Sequence, residues 1–446
     1  MIKTRILHLI ELISNKFWIV PLLCLTAAGI SAYLNVFLDK YYFSANATPF
    51  SFLLYFNDPQ NISTLLTTVA GAILGVAGVA FSVTITSLVL ASQQFGPRLL
   101  RNFMQDTFNQ IVIGLFISTF LYCMLILQFT SNMEAGGFTP VISMLTVLAL
   151  TITDLLLLVF YIHHIAASIQ ADSVISAVYE ELTERLETQF PEQEEEDEHL
   201  PEAETSGFQT DFDQQSRKIS TPQSGYLQAV DNEGLLALTK DLDLALQVHF
   251  QAGDYIMRGC VLASCMVPDE ETAEDLADKV LGYFIIGDVR TPEQDARYAI
   301  YQLVEVALRA LSPGINDPFT AMSCINRLGS AMAMIMERQL PLSHYYDKQG
   351  RLRLQLKTYS FAALLATSFD QIRQNTAHHT GVILSLLETL RQLAAQTRKA
   401  EQAAAIQAQA DAIRLAAQDT IQVQKDIDAV SDAYQQINRT LQHFKS

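Results

Sequence analysis

Asp154 is the residue whose type and position most directly suggest chemistry. It stands in an apolar run, after Thr151 and Thr153 and ahead of four leucines. A carboxyl group at that depth in a membrane helix is expensive, so a use for it is the first expectation. The uses open to it are ion coordination, proton carriage or a polar contact inside a helix bundle. The plainer reading is a neutral acid hydrogen-bonded to a hydroxyl on a neighbouring helix. A second constellation lies earlier. Thr64, Thr68, Gly71, Gly75, Gly78, Ser82 and Thr86 recur at steps of three or four residues, which sets all seven on one side of a helix. Gly71 and Gly75 form a GxxxG pair, and small residues let two helix backbones approach closely in lipid. The same face also has the composition of a polar pathway, its hydroxyls lining it and its glycines giving width. Isolated hydroxyls in membrane helices usually bond back to their own turn, which favours packing over a pore. The two readings merge if this helix packs against copies of itself around an axis, and a homo-oligomer that passes ions is the leading expectation.

Other candidates are weaker. Arg98 and Arg101, one helical turn apart, suit lipid phosphate or the focusing of anions at an inner mouth. His163 and His164 are adjacent, as are His378 and His379, so neither pair shares a helix face as i, i+4 metal ligands do. The five cysteines, Cys24, Cys123, Cys260, Cys265 and Cys324, show no ligand spacing and read as reduced structural residues. Ser312-Pro313-Gly314-Ile315-Asn316-Asp317-Pro318 is dense in polar turn residues, but a helix stop followed by a helix start explains the pattern. No phosphate-cradling loop, GxSxG or HExxH occurs. No enzyme, cofactor or metal is expected.

The elements that must hold these residues are membrane helices. Apolar spans run over Phe17–Leu38, Asn61–Ser92, Phe108–Phe129 and Pro140–Tyr161. The second carries no charge and, at some 30 residues, exceeds the roughly 30 Å hydrocarbon core. Thr107 and Gln110 have capping-box spacing at the start of the third. Residues 1–16 form a basic amphipathic segment for the inner leaflet. Trp18 is an interface anchor. The aromatic residues Phe50, Phe52, Tyr55 and Phe56 belong to an outer loop. The amino-terminal segment and the middle loop hold five basic residues, whereas the outer loops hold only Lys40. Both termini are therefore expected inside, on the cytoplasmic side of the membrane.

Past residue 170 the chain turns soluble in character. Twelve acidic residues against Arg185 fill 180–204, a solvated linker that accounts for most of the net charge of −18. With no basic domain, nucleic acid is not a partner. Residues 171–223 read as helix and linker, 224–290 as a small α+β unit and 291–446 as a helical region. Within the α+β unit, Leu242–Phe250 alternates as a strand and Tyr255–Ala263 reads as its hairpin partner. Helices are expected from Thr291 to Leu311 and from Asp317 onward, then almost without interruption past a loop at 341–351. Ala394–Gln418, rich in Ala and Gln, reads as surface or inter-subunit helix. The fold class is thus a polytopic α-helical membrane protein, four transmembrane helices over 17–170, with an α+β, mostly helical cytoplasmic domain.

The run Ala310 to Ala321, ALSPGINDPFTA, resembles the hallmark of a family of predicted bacterial membrane proteins, domain of unknown function 2254. Phe81-Ser82 through Gln93-Gln94-Phe95 with Pro97-Arg98, His163-His164 with Ser168 to Gln170, and Ser224-Gly225-Tyr226 with Asp231 extend the likeness to about residue 395. Gly96 departs from it, standing where the family pattern has serine. The resemblance implies a membrane protein with a cytoplasmic domain and supplies no activity.

Overall fold

The computed structural model describes residues 18–42, 59–97, 106–131, 140–192, 212, 216–266, 276–376 and 379–444. The amphipathic segment 1–16, the aromatic outer loop, Arg98, Arg101, His378 and most of the acidic linker lie outside the described residues. The chain divides into two units, 5–173 and 174–446.

The first unit holds α1 (Ile19–Tyr42), α2 (Pro59–Phe95), α3 (Thr107–Ser131) and α4 (Val141–Ser168), all four long and apolar enough to cross a membrane. Each is longer than its apolar run. Polar flanks continue a helix as long as nothing breaks it, and the breakers lie further out. At the end of α2 the break is Gly96, whose φ of +118° suits only glycine, followed by Pro97. At about 1.5 Å per residue, the 37 residues of α2 reach about 55 Å. The expected capping box at Thr107 is replaced by a cap one residue earlier. Asp106 accepts the Phe108 amide at 3.0 Å and the Asn109 side chain at 3.0 Å.

α3 is the hub, packed against α1, α2 and α4, with more than half of its apolar window buried. Lipid offers apolar side chains no reason to leave it, so close backbone approach and polar contacts hold such a bundle. Gly114 is where that approach occurs. A Cβ there would lie 3.0 Å from the Pro21 backbone and 3.2 Å from the Cys24 sulfur on α1. Two clusters fill the interior: one around Leu66, Tyr122, Ile126 and Met144, the other around Ile73, Ala80, Phe116 and Tyr161. Bulky chains such as Leu23, Ile30 and Phe37 on α1 and Leu156, Val159 and Phe160 on α4 face outward, as a lipid-contacting surface requires.

The second unit opens with most of α5 (Ala171–Gln189), an amphipathic helix burying Val174, Val178, Leu182 and Leu186. Two sheets follow. The larger has the order β1-β5-β3-β8-β7, from Arg217–Ser220, Val261–Met266, Ala245–Val248, Leu352–Gln355 and His344–Tyr346. All its pairings are antiparallel except β3 with β8, where Leu246 faces Leu354. The smaller sheet is β4-β2-β6, from Tyr255–Ile256, Gly225–Val230 and Phe284–Gly287. Between the strands lie α6 (Asn232–Asp241), capped by Asp231, and α7 (Leu276–Leu281).

The sheet corrects four sequence readings. Arg217–Ser220 is a strand paired with β5, inside the stretch read as linker. The run 242–250 is strand only over Ala245–Val248, because Asp243 takes φ +48°. The expected hairpin partner splits at a turn with Gly259 at φ +85°. Its first half joins the small sheet, and only its second half pairs with β3. Lastly, β7 and β8 interrupt the run read as helical, and β8 lies between β3 and β7.

The remaining helices stack in two rows. In one row α8 (Ala296–Ala310), α10 (Phe361–Gln374) and α12 (Ala400–Thr420) are neighbours; in the other, α9 (Pro318–Glu337), α11 (Thr380–Gln396) and α13 (Gln424–Thr440). α8 starts at Asp295, which accepts the Arg297 amide, and not at Thr291-Pro292. α12 buries one face, where Ala403, Ile406, Ala410, Ile413 and Ala417 recur at helical spacing, and exposes the other.

Candidate functional site

The seven stripe residues share one face of α2, and that face is exposed along its whole length within the chain. The opposite face does the packing, through Ile62, Leu66, Ala70, Ile73, Ala77, Ala80 and Ala91. A Cβ added at Gly71, Gly75 or Gly78 would meet nothing within 4 Å. The threonine hydroxyls are satisfied by their own helix: Thr64 donates to the Gln60 carbonyl at 2.7 Å, Thr68 to Thr64 at 2.7 Å and Thr86 to Ser82 at 2.9 Å. Among the described residues the glycine pair therefore packs against nothing.

Asp154 points the other way. Its side chain is 1% exposed, and the Thr119 hydroxyl on α3 is the polar group that reaches it. Neither carboxylate oxygen makes a hydrogen bond of normal geometry, nor do the buried hydroxyls of Ser118 and Thr119. The structure does not bring Asp154 to the stripe.

Two polar clusters escaped the sequence reading. Asp39, placed there in a loop, ends α1 fully buried and caps α4 from outside it. The Ile142 amide donates to its Oδ1 at 2.7 Å, while the Ser143 amide and hydroxyl donate to Oδ2 at 3.0 and 2.6 Å. One turn earlier, Asn35 donates to Tyr122 at 2.9 Å and to Thr146 at 3.0 Å. The signal was legible as Asn35-x3-Asp39 on one helix against Ser143-x2-Thr146 on another, each pair one turn apart. At the other end of the bundle His164 meets Asp106 at 2.6 Å, and Tyr161 bonds Thr84 and the Ala80 carbonyl.

In the second unit the polar turn is what its spacing suggested. Asp317 caps α9 through the Thr320 amide at 3.1 Å and hydroxyl at 2.6 Å, with Pro318 in the first turn. Asn316 takes φ +52°, and Ser312 accepts its amide at 2.9 Å. Pro313 and Gly314 are exposed, and so are Ile315 and Phe319.

A concave feature of this unit lies elsewhere, at the carboxyl ends of the parallel strands β3 and β8. Val248, Phe250 to Ala252 and Leu356 to Tyr359 line it together with Tyr345 and Gln294. Beside it runs a charge network. Arg297 meets Asp254 at 2.7 Å and Lys357 meets it at 3.1 Å, and Asp295, its side chain fully buried, bonds Arg290. Burial works against the Asp254 charge, but hydrogen bonds from Arg297, the Gln251 amide and Lys357 outweigh it and hold the carboxyl below its ordinary pKa. Burial, with Asp295 adding to it, pushes the Tyr359 phenol well above its usual value. Among the described residues no group of three His, Cys, Asp or Glu side chains is placed to hold a metal, and all five cysteines are unpaired.

The family described as predicted membrane protein (DUF2254) matches residues 14–392 of this sequence. Uncharacterised proteins of Mycobacterium bovis and of Mycobacterium tuberculosis are each 30% identical to it over 420 residues, which cover 92% of this chain and 78% of the relative. No solved structure matches it.

Proposed function

The chain belongs to the DUF2254 family of predicted membrane proteins, and from that premise we propose that it works as a homo-oligomeric ion channel or transporter. Copies of α2 surround an axis, and the second unit assembles or gates the pore from the cytoplasm. The observation that carries this reading is the unpacked stripe Thr64 to Thr86 on the longest helix. Gly114 is used in packing within the chain, whereas Gly71, Gly75 and Gly78 meet no neighbour and leave room for another helix. Around an axis its glycines set the approach of the copies, and its back-bonded hydroxyls face the centre. Asp154 is then a site inside the bundle for a proton or cation rather than part of the axial path. Both termini lie on the cytoplasmic side of the inner membrane, and Arg98 and Arg101 lie at the inner mouth or on lipid phosphate.

Ion flux into liposomes holding the purified protein tests the proposal. Flux above empty vesicles is expected, abolished by Gly75→Leu. Flux no greater than that of empty vesicles, across monovalent cations, anions and protons, overturns it. The second reading is a membrane-anchored scaffold or sensor. The filled interior of the bundle favours it, since the four helices of one chain enclose apolar clusters. An unleaky bundle with a tight stripe contact would select it.

A further inference from the structure

We propose that the cavity at the carboxyl ends of β3 and β8 binds a small ring-bearing monocarboxylate. This rests on the second unit alone and is independent of any transport activity. In open parallel sheets ligands settle in the crevice outside the carboxyl ends of the strands, and the one parallel pair here opens a crevice at the same place. Here the loops are Phe250–Ala252 and Lys357–Tyr359, and the crevice between them has a volume of about 210 Å³. Pockets for drug-sized molecules run to roughly 300–1,000 Å³, so this one suits a single ring with a short arm.

The lining sets the chemistry. Val248, Phe250 and Leu356 give an apolar wall, with the rings of Tyr345 and Tyr359 beside it. Flat aromatic walls favour a ring stacked or edge-on against them. Lys357 supplies the charge. It is half-exposed, with its ammonium 5.9 Å from the Phe250 ring centre, and it pairs with Asp254. Around it the network holds Arg290, Arg297 and Lys357 against Asp254 and Asp295, a surplus of one positive charge. Arg297 Nε lies 3.6 Å from Asp295 Oδ1 without a hydrogen bond, so two carboxylates are shared among three cations. A cationic ligand meets that surplus unfavourably, and a neutral one leaves it unanswered. A carboxylate beside Lys357 completes it.

The test uses full-length protein in detergent micelles, titrated calorimetrically with phenylacetate, its neutral isostere phenylacetamide and phenethylammonium. Phenylacetate is expected to saturate one site per chain. Phenylacetamide should bind at least tenfold more weakly, and phenethylammonium not at all. Lys357→Gln should lower phenylacetate affinity at least tenfold and leave phenylacetamide unchanged. Val248→Trp should abolish both. Should Val248→Trp unfold, Leu342→Trp, at the exposed rim, takes its place. Equal affinity for acid and amide, no binding of phenylacetate, or binding that survives the filled cavity overturns the proposal.

Discussion

Replacing Asp39 by alanine tests the polar construction of the bundle. The amides of Ile142 and Ser143 are the second and third of α4, the two that a cap residue normally serves. Pro140, in the cap position, makes no side-chain cap bond, so Asp39 of α1 supplies it. In Asp39→Ala both amides lose their acceptor at a site where Asp39 is fully buried. An orphaned buried donor costs about 1–3 kcal/mol, so the two together come to about 4 kcal/mol. The Ser143 hydroxyl can turn back on its own helix and adds little. At 1.4 kcal/mol per factor of ten this is roughly a thousandfold shift in the folding equilibrium. Asp39→Asn keeps one acceptor and should lose about half. Trp18, the sole tryptophan, precedes α1 and reports on the membrane unit in an SDS titration of mixed micelles. A midpoint for Asp39→Ala equivalent to within about 0.5 kcal/mol of the parent would refute the capping argument, since surface changes fall in that range.

Three further outcomes concern the second unit. Gly253→Ala places a Cβ 2.1 Å from Asp295 Oδ2 at φ +89°, combining left-handed strain with displacement of a buried carboxylate. It should cost about 3 kcal/mol in thermal unfolding, and no loss would contradict the packing described. Ile413→Ala should cost roughly 2–5 kcal/mol if α12 is core, and near zero if it is a surface helix. The Asp254 pKa is lower folded than its ordinary 3.8, so the unfolded chain binds the proton more readily. The stability it contributes is complete above pH 3.8 and is lost as pH falls toward the folded value. Acid titration followed by circular dichroism should show Asp254→Asn losing less stability over that interval than the parent.

The four spans were legible because twenty apolar residues have few other uses, and Asp317-Pro318 because cap chemistry is local. What stayed hidden depended on partners distant in sequence. Asp39 reads as a loop residue until its acceptor role toward α4, a hundred residues on, is known. The strand β8 is four residues long and owes its existence to β3 and β7. The alternation in 242–250 was real, but tertiary pairing used only four of its nine residues. Alanine and glutamine in α12 looked like surface because the reading weighed bulk, whereas one face of that helix, Ala403, Ala410 and Ala417 included, is buried. Of the candidate site, the spacing of the stripe placed seven residues on one face, which the structure shows. That this face turns away from Asp154 and from the rest of the bundle was beyond what spacing can say.

Cysteine cross-linking in native membranes addresses the stripe most directly. On a background with the five native cysteines replaced, Gly75→Cys should give chain-to-chain disulfides on mild oxidation, while Leu156→Cys, on the outward face of α4, should give none. If Leu156→Cys cross-links and a fluorophore attached to Gly75→Cys is instead quenched by spin-labelled acyl chains, the stripe faces lipid and the oligomeric pathway is wrong.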